Sequence, residues 1–311
     1  MVQKFCPEGV LIETAANQAA MRSVATLQEA MRKGTILEAR TLICDAAHNL
    51  IVDLGCCRGY IPRKETVVGI EDGSTRDIAI ISRVNKPVCF LITGFEKDAA
   101  GNITAILSRR KAQEACREEY IAPLQPGCII DARVTHLEPF GAFVDIGCGN
   151  TSLMPIDAIS VSRIAHPKDR FTVGQDIRAV IKSFDLDGRI TLTHKELLGT
   201  WSENAAAFST GETVAGIVRS VESYGVFVEL TPNLAGLAEP REGVRAGQHA
   251  SVYVKSLIPS KMKIKLIIVD CFDAAYLPPK PVYYIDSSYI SRWQYSPESA
   301  ERKIESCFLP R

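Results

Sequence analysis

Apolar and polar residues alternate most regularly along Phe140-Gly141-Ala142-Phe143-Val144-Asp145-Ile146-Gly147. As a strand, this stretch sends Ala142, Val144 and Ile146 to one face and Phe143 with Asp145 to the other. The pattern recurs. Tyr224-Gly225-Val226-Phe227-Val228-Glu229-Leu230 places its aliphatic residues on one side and Phe227 beside Glu229, and a fainter copy runs from His48 to Gly55. Three related β modules are predicted, two of them with an aromatic pair on the face that should be wet.

Around these copies the pattern supplies the other elements. After an extended start ending near Ile12, Met21, Val24, Leu27 and Met31 recur at helical spacing and predict one packing helix over 14–33, stopped by Gly34. In the first module Asp77–Ile81, Val88–Ile92 and Gly101–Leu107 read as strands, and Ser108–Tyr120 as a helix before the Pro123 and Pro126 linker. The second module alternates from Ile130 to Val134 and adds a short strand over 153–156. A polar crossover over 157–170 follows, and strands over 177–182 and 188–193 complete it. Five short strands with one long crossover fit a small closed Greek-key barrel such as the oligonucleotide-binding fold. Residues 194–208, with Trp201, suggest a linker helix, and the third module has a shorter crossover over 239–247. The fold class is therefore all-β: tandem five-stranded OB-fold barrels with short linker helices and an N-terminal helix. The expected segments are 1–33, modules over 34–122, 126–198 and 211–270, and a tail over 271–311. Tyr283, Tyr284, Tyr289, Trp293 and Tyr295 make that tail aromatic enough to dock, expectedly on the third module.

Composition narrows the chemistry. With 36 basic and 36 acidic residues among 311, the formal net charge is zero, so any nucleic-acid binding must come from a local face. No apolar run approaches the roughly 18 residues of a membrane span, and the start lacks a secretion pattern. Of ten cysteines, Cys56-Cys57 is the only close pair and no C-x-x-C occurs; Cys44, Cys89 and Cys128 occupy strand-like apolar positions. Reduced thiols in cytoplasm are expected. His136, His166 and His194 are far apart with no cysteine spaced as a co-ligand, so no metal is expected. Neither G-x-x-x-x-G-K, H-E-x-x-H nor G-x-S-x-G occurs, so no catalytic site and no cofactor are expected.

Gly127, Phe140-Gly141-Ala142-Phe143-Val144-Asp145, Phe171-Thr172-Val173-Gly174-Gln175 and Gly188-Arg189-Ile190-Thr191-Leu192-Thr193-His194-Lys195 closely resemble the S-one RNA-binding domain, the repeat of ribosomal protein S-one. The third module matches at Gly211, Tyr224–Val228 and Gly236-Leu237. The first matches at Asn49–Gly55, Gly59-Tyr60-Ile61-Pro62 and Ser108-Arg109-Arg110, making it a degenerate copy. The resemblance implies binding of single-stranded RNA, with mRNA the expected target and the ribosome a possible partner. It implies base stacking on Phe140 and Phe143 with Arg189, and on Tyr224 and Phe227 with Lys263. Lys265 shares the outward face of Phe227, and Asp185 is expected to orient Arg189. The family's histidine on the third strand is replaced by Pro155, Glu239 and Pro62, while the first module has His48, Ile51 and Asn102 at the expected contact positions. That module is expected to bind RNA weakly or not at all.

Bland readings stand beside these. Phe143 could be covered by the linker helix or a neighbouring module, Arg189 could only pair with Asp185 or Asp187, and Lys263 and Lys265 could be solvated edge charges. The rival function is a ribosome- or nuclease-associated protein scaffold with little RNA binding, favoured by the zero net charge, the missing third-strand histidines and the aromatic tail.

Overall fold

A computed structural model describes residues 5–309; residues 1–4 of the expected N-terminal segment and 310–311 of the tail lie outside the described residues. The strands close into three barrels. The first comprises β1 (Leu37–Cys44), β2 (Leu50–Asp53), β3 (Arg58–Ile61), β4 (Pro87–Lys97) and β5 (Ile103–Ser108). The second comprises β6 (Ile129–Glu138), β7 (Gly141–Asp145), β8 (Thr151–Pro155), β9 (Asp176–Phe184) and β10 (Ile190–Thr193), and the third β11 (Thr213–Glu222), β12 (Gly225–Thr231), β13 (Leu234–Ala238), β14 (His249–Ile258) and β15 (Lys263–Phe272). In each barrel the third strand runs parallel to the fifth, and the fourth pairs antiparallel with the fifth. That pairing follows from the crossover after the third strand, which carries the chain over the barrel before the last hairpin.

Three expected elements differ. The helix over 14–33 is two, α1 (Ala15–Ala20) and α2 (Val24–Lys33), because Ser23 and Thr26 cap α2 reciprocally and restart the chain there. The apolar run expected as a strand at Asp77–Ile81 is a helical turn, α3 (Ile78–Ile81). Only Ile80 is buried, Ile78 being 66% exposed, so a single side chain anchors the crossover where a strand would have needed ladder partners. After α4 (Arg109–Cys116), the linker expected as a helix over 194–208 is a 3-10 turn, Lys195–Leu198, and α5 (Trp201–Ala205). Gly199, at φ +82°, separates them, and Thr200 caps the second.

The described chain forms two compact units. One takes the residues up to 124 together with 131–133 and 145–151; the other takes the rest. In the first unit Glu8 is the hub of a buried cluster: its carboxylate accepts from Arg109 Nε at 2.6 Å and Nη2 at 2.9 Å, from Arg83 Nη1 at 3.2 Å and from the Cys89 N–H at 3.2 Å. Two more carboxylates hold the backbone on either side. Glu8 N–H donates to Asp145 Oδ2 at 2.8 Å, while the N–H groups of Gly9 and Ile12 donate to Glu38. Burial, reinforced by the Glu8 charge, pushes Asp145 up to about 7, and burial does the same for Glu38. Burial also acts to raise Glu8, but the Arg109 and Arg83 guanidiniums hold it below the usual carboxylate range. A carboxyl raised in the folded state stabilises at low pH and loses that contribution as pH climbs through its folded value; a lowered one loses its contribution as pH falls. Denaturant titrations of the first unit should therefore show stability falling as pH rises from about 4.5 towards about 7, and falling again below about 4.5.

In the second unit the tail contacts both of its barrels, where only the third was expected. Arg178 donates to the Ile285 and Ser287 carbonyls, the Tyr283 hydroxyl accepts from the Arg178 N–H at 2.9 Å, and Ser288 O accepts from Ile129 N–H at 2.8 Å. The tail then pairs β16 (Arg292–Gln294) with β17 (Glu305–Cys307), burying Trp293 and Tyr295 against the third barrel's core. The Tyr295 hydroxyl donates to Asn233 O at 2.5 Å. The Asn233 side chain ties the barrels directly, accepting from Val161 N–H and donating to the Lys195 and Gly199 carbonyls. With backbone groups of the linker and crossover thus satisfied, these segments can be buried at little desolvation cost.

Candidate nucleic-acid interface

The strand alternation places the aromatic pairs. In β7, Ala142 and Val144 fill the barrel interior, which turns Phe143 outward to a half-buried position. Phe140, at the preceding turn, is 57% exposed, and the two rings stand edge to face with centroids 6.0 Å apart. The third barrel repeats this: Val226 and Val228 are interior, Phe227 is half-buried, Tyr224 is 65% exposed, and their rings meet edge to face at 6.2 Å. Each pair thus offers a projecting ring braced by a second, a geometry in which π-faces stay accessible.

Cross-strand register decides which cations stand beside the rings. Phe227 is opposite Leu237, and Leu237 opposite Lys265, so these three share one row on the outer face. Lys263 is one pleat further along β15, towards the end of β12 where Glu229 pairs with Ala235; both lysines are exposed. In the second barrel the place of Lys265 belongs to Thr191, opposite Leu153. Arg189 precedes β10 with its side chain 79% exposed and its Nη2 3.8 Å from an Asp187 carboxylate oxygen. Asp185 accepts the backbone N–H of Arg189 at 2.7 Å: it orders the turn that presents Arg189, while the guanidinium lies beside Asp187.

The two acids expected on the wet face are buried. Asp145 accepts the N–H groups of Gly147 and Gly149 as well as that of Glu8. Glu229 is held by Arg219 Nε at 2.8 Å, Arg219 Nη2 at 2.9 Å and Arg170 Nη2. Alternation assigned both to the outer face, and segments distant in sequence cover that face at its ends. Phosphate repulsion by these acids is therefore muted. Glu239, which replaces a histidine of the family, lies 3.5 Å from Lys255 Nζ.

The first barrel differs. His48 is in the left-handed region at φ +61°, with Nδ1 3.5 Å from Asp77, and Arg63 Nη2 pairs with the same carboxylate at 2.7 Å. Ile51 is opposite Tyr60, and Tyr60 opposite Ile106, giving an outer row with no cation. Tyr60 was not among the expected contacts. The signal was its alternation with Gly59 and Ile61 on the strand paired to the Ile51 position.

No helix among the described residues is long and apolar enough to cross a membrane. The model of the S1 RNA binding domain matches residues 124–195, which hold the second barrel and its Phe140–Phe143 pair. The chain is 30% identical over 285 residues to the small ribosomal subunit protein bS1 of Staphylococcus aureus (strain COL), covering 86% of this chain and 68% of that relative. It is also 30% identical over 234 residues to the bS1 homolog of Bacillus subtilis (strain 168), covering 70% and 58%, and 31% identical over 235 residues to bS1 of Leuconostoc lactis, covering 70% and 52%. With a relative matched over two thirds of its length, three barrels of one topology and the domain signature on the second, the chain belongs to the bS1 family of small ribosomal subunit proteins.

Proposed function

We propose that the chain binds single-stranded RNA, mRNA in particular, during translation on the cytoplasmic ribosome, by stacking bases on Phe140–Phe143 and Tyr224–Phe227. The observation that carries this is the repetition, on two barrels, of a perpendicular ring pair with one ring in solvent. Arg189, Lys263 and Lys265 supply phosphate contacts, and Asp185 sets the turn that carries Arg189. The activity is binding, with no bond made or broken. The names of the relatives support the ribosomal setting. Filter binding to a mixed-sequence RNA tests the reading: Phe143→Ala with Arg189→Ala should weaken retention by about tenfold or more, since each stacked base contributes about 1–3 kcal/mol. Equal retention would remove it. The salt dependence should be shallow, with a slope of about 0.7 per phosphate neutralised.

The Ile51–Tyr60–Ile106 row of the first barrel favours a second role there, as a protein-contacting module of a ribosome- or nuclease-associated scaffold. If RNA retention survives the double substitution, that role becomes the leading reading.

A further inference from the structure

The second unit contains a cavity of about 410 Å³, within the range of small-molecule sites. It opens beside β11 and the start of β14, whereas the stacking row of the third barrel runs across β12, β13 and β15. We propose that this cavity binds one nucleotide, a planar base carrying a phosphate. The proposal goes beyond the stacking faces and does not rest on them, because different residues form it.

Its lining includes an ion cluster in which Glu229 and Arg170 are buried. Glu229 is held by Arg170 and by two nitrogens of Arg219, while the remaining Arg219 nitrogen, Nη1, reaches Asp169 Oδ2 only at 3.5 Å. That last pair is the loosest of the cluster. Asp169 Oδ2 already accepts the Ala165 and His166 N–H groups, so the group it leaves free to turn to a ligand is Arg219 Nη1, a donor suited to the carbonyl or ring-nitrogen acceptors of a nucleobase edge. The lining also holds two rings: His249 and Tyr276 stand edge to face with centroids 4.9 Å apart, His249 is stacked on Phe272 at 6.0 Å, and Tyr276 is 72% exposed. An exposed ring braced from behind is a stacking platform for a base.

Charge fixes the rest of the ligand. Lys168, Arg170 and Arg219 face Asp169 and Glu229 around the cavity, leaving one positive charge in excess. The excess belongs to Lys168, which is exposed and forms no ion pair among the described residues. A phosphate can pair with this ammonium, and a base can stack on the exposed Tyr276 ring. A nucleotide satisfies both. It can arrive free or as one residue of an RNA strand.

Equilibrium dialysis of the full chain with AMP, GMP and UMP, and with a short single-stranded oligonucleotide, separates these sources. The variants are Tyr276→Ala and Lys168→Ala, both at exposed positions, with Phe143→Ala plus Phe227→Ala as the comparison. The expected result is saturable binding of at least one monophosphate, weakened about tenfold by Tyr276→Ala and by Lys168→Ala and unchanged by the comparison pair. If no monophosphate saturates below about 10 mM but oligonucleotide affinity falls in both cavity variants, the nucleotide belongs to RNA and the site stands. Binding of monophosphate and oligonucleotide that is indifferent to both cavity variants would overturn the proposal, as would no binding of either. Loss of monophosphate binding in the Phe143/Phe227 pair alone would place the ligand on the stacking faces and overturn it equally.

Discussion

Glu8→Ala is expected to destabilise the first unit by about 3–5 kcal/mol, the usual consequence of removing one partner from a buried ion pair. The Arg109 side chain is 3% exposed and donates twice to Glu8, and Arg83 donates once more. Without the carboxylate, two guanidinium groups lie in a site where Asp145 and Glu38 are themselves biased by burial towards the neutral form. The loss is an appreciable share of the roughly 5–15 kcal/mol that typically holds a domain folded. Urea denaturation measures it. A control separates the charge from the packing: Glu8→Leu combined with Arg109→Leu should recover part of the loss, since replacing both partners by apolar groups is often close to neutral. If Glu8→Ala leaves the urea midpoint where it was, the ion cluster is not what holds the N-terminal segment.

Phe143→Ala combined with Phe227→Ala should weaken RNA binding by about 2–6 kcal/mol, the sum of two stacking contributions of about 1–3 kcal/mol each. Both rings stand outside the barrel interiors, so the folded state should lose little, and the thermal midpoint serves as the control. Additivity is informative: barrels that each take their own bases should give single-substitution losses that sum, while one ring stacking alone would leave the other substitution silent. Fluorescence anisotropy with a labelled single strand, measured at one fixed ionic strength, resolves these cases. Loss of binding accompanied by loss of the folded transition would instead assign the rings to packing.

Much of the architecture was legible in the residues. The alternation of Ala142, Val144 and Ile146, repeated by Val226, Val228 and Leu230, gave strands, their faces and the module count, because a period of two reports directly which side chains share a surface. Gly34 marked the end of the N-terminal helical stretch, where it takes the left-handed conformation. The run at Ile78–Ile81 misled, since a short apolar stretch fits a strand or a buried turn equally well until its neighbours are known. The break between α1 and α2 was carried by Ser23 and Thr26, a cap that helical spacing alone overrode.

The sequence by itself determined three barrels of one topology, the aromatic pairs on two of them and the kinship with bS1. Only the tertiary structure decided which outward positions meet water. Asp145 and Glu229 share the outer face with Phe143 and Phe227 by alternation, yet they are sealed by Glu8 and its neighbours in one case and by Arg170 and Arg219 in the other. The reason is physical: periodicity is a property of one strand, whereas the cover on its outer face comes from segments that can lie more than a hundred residues away, as Glu8 does from Asp145.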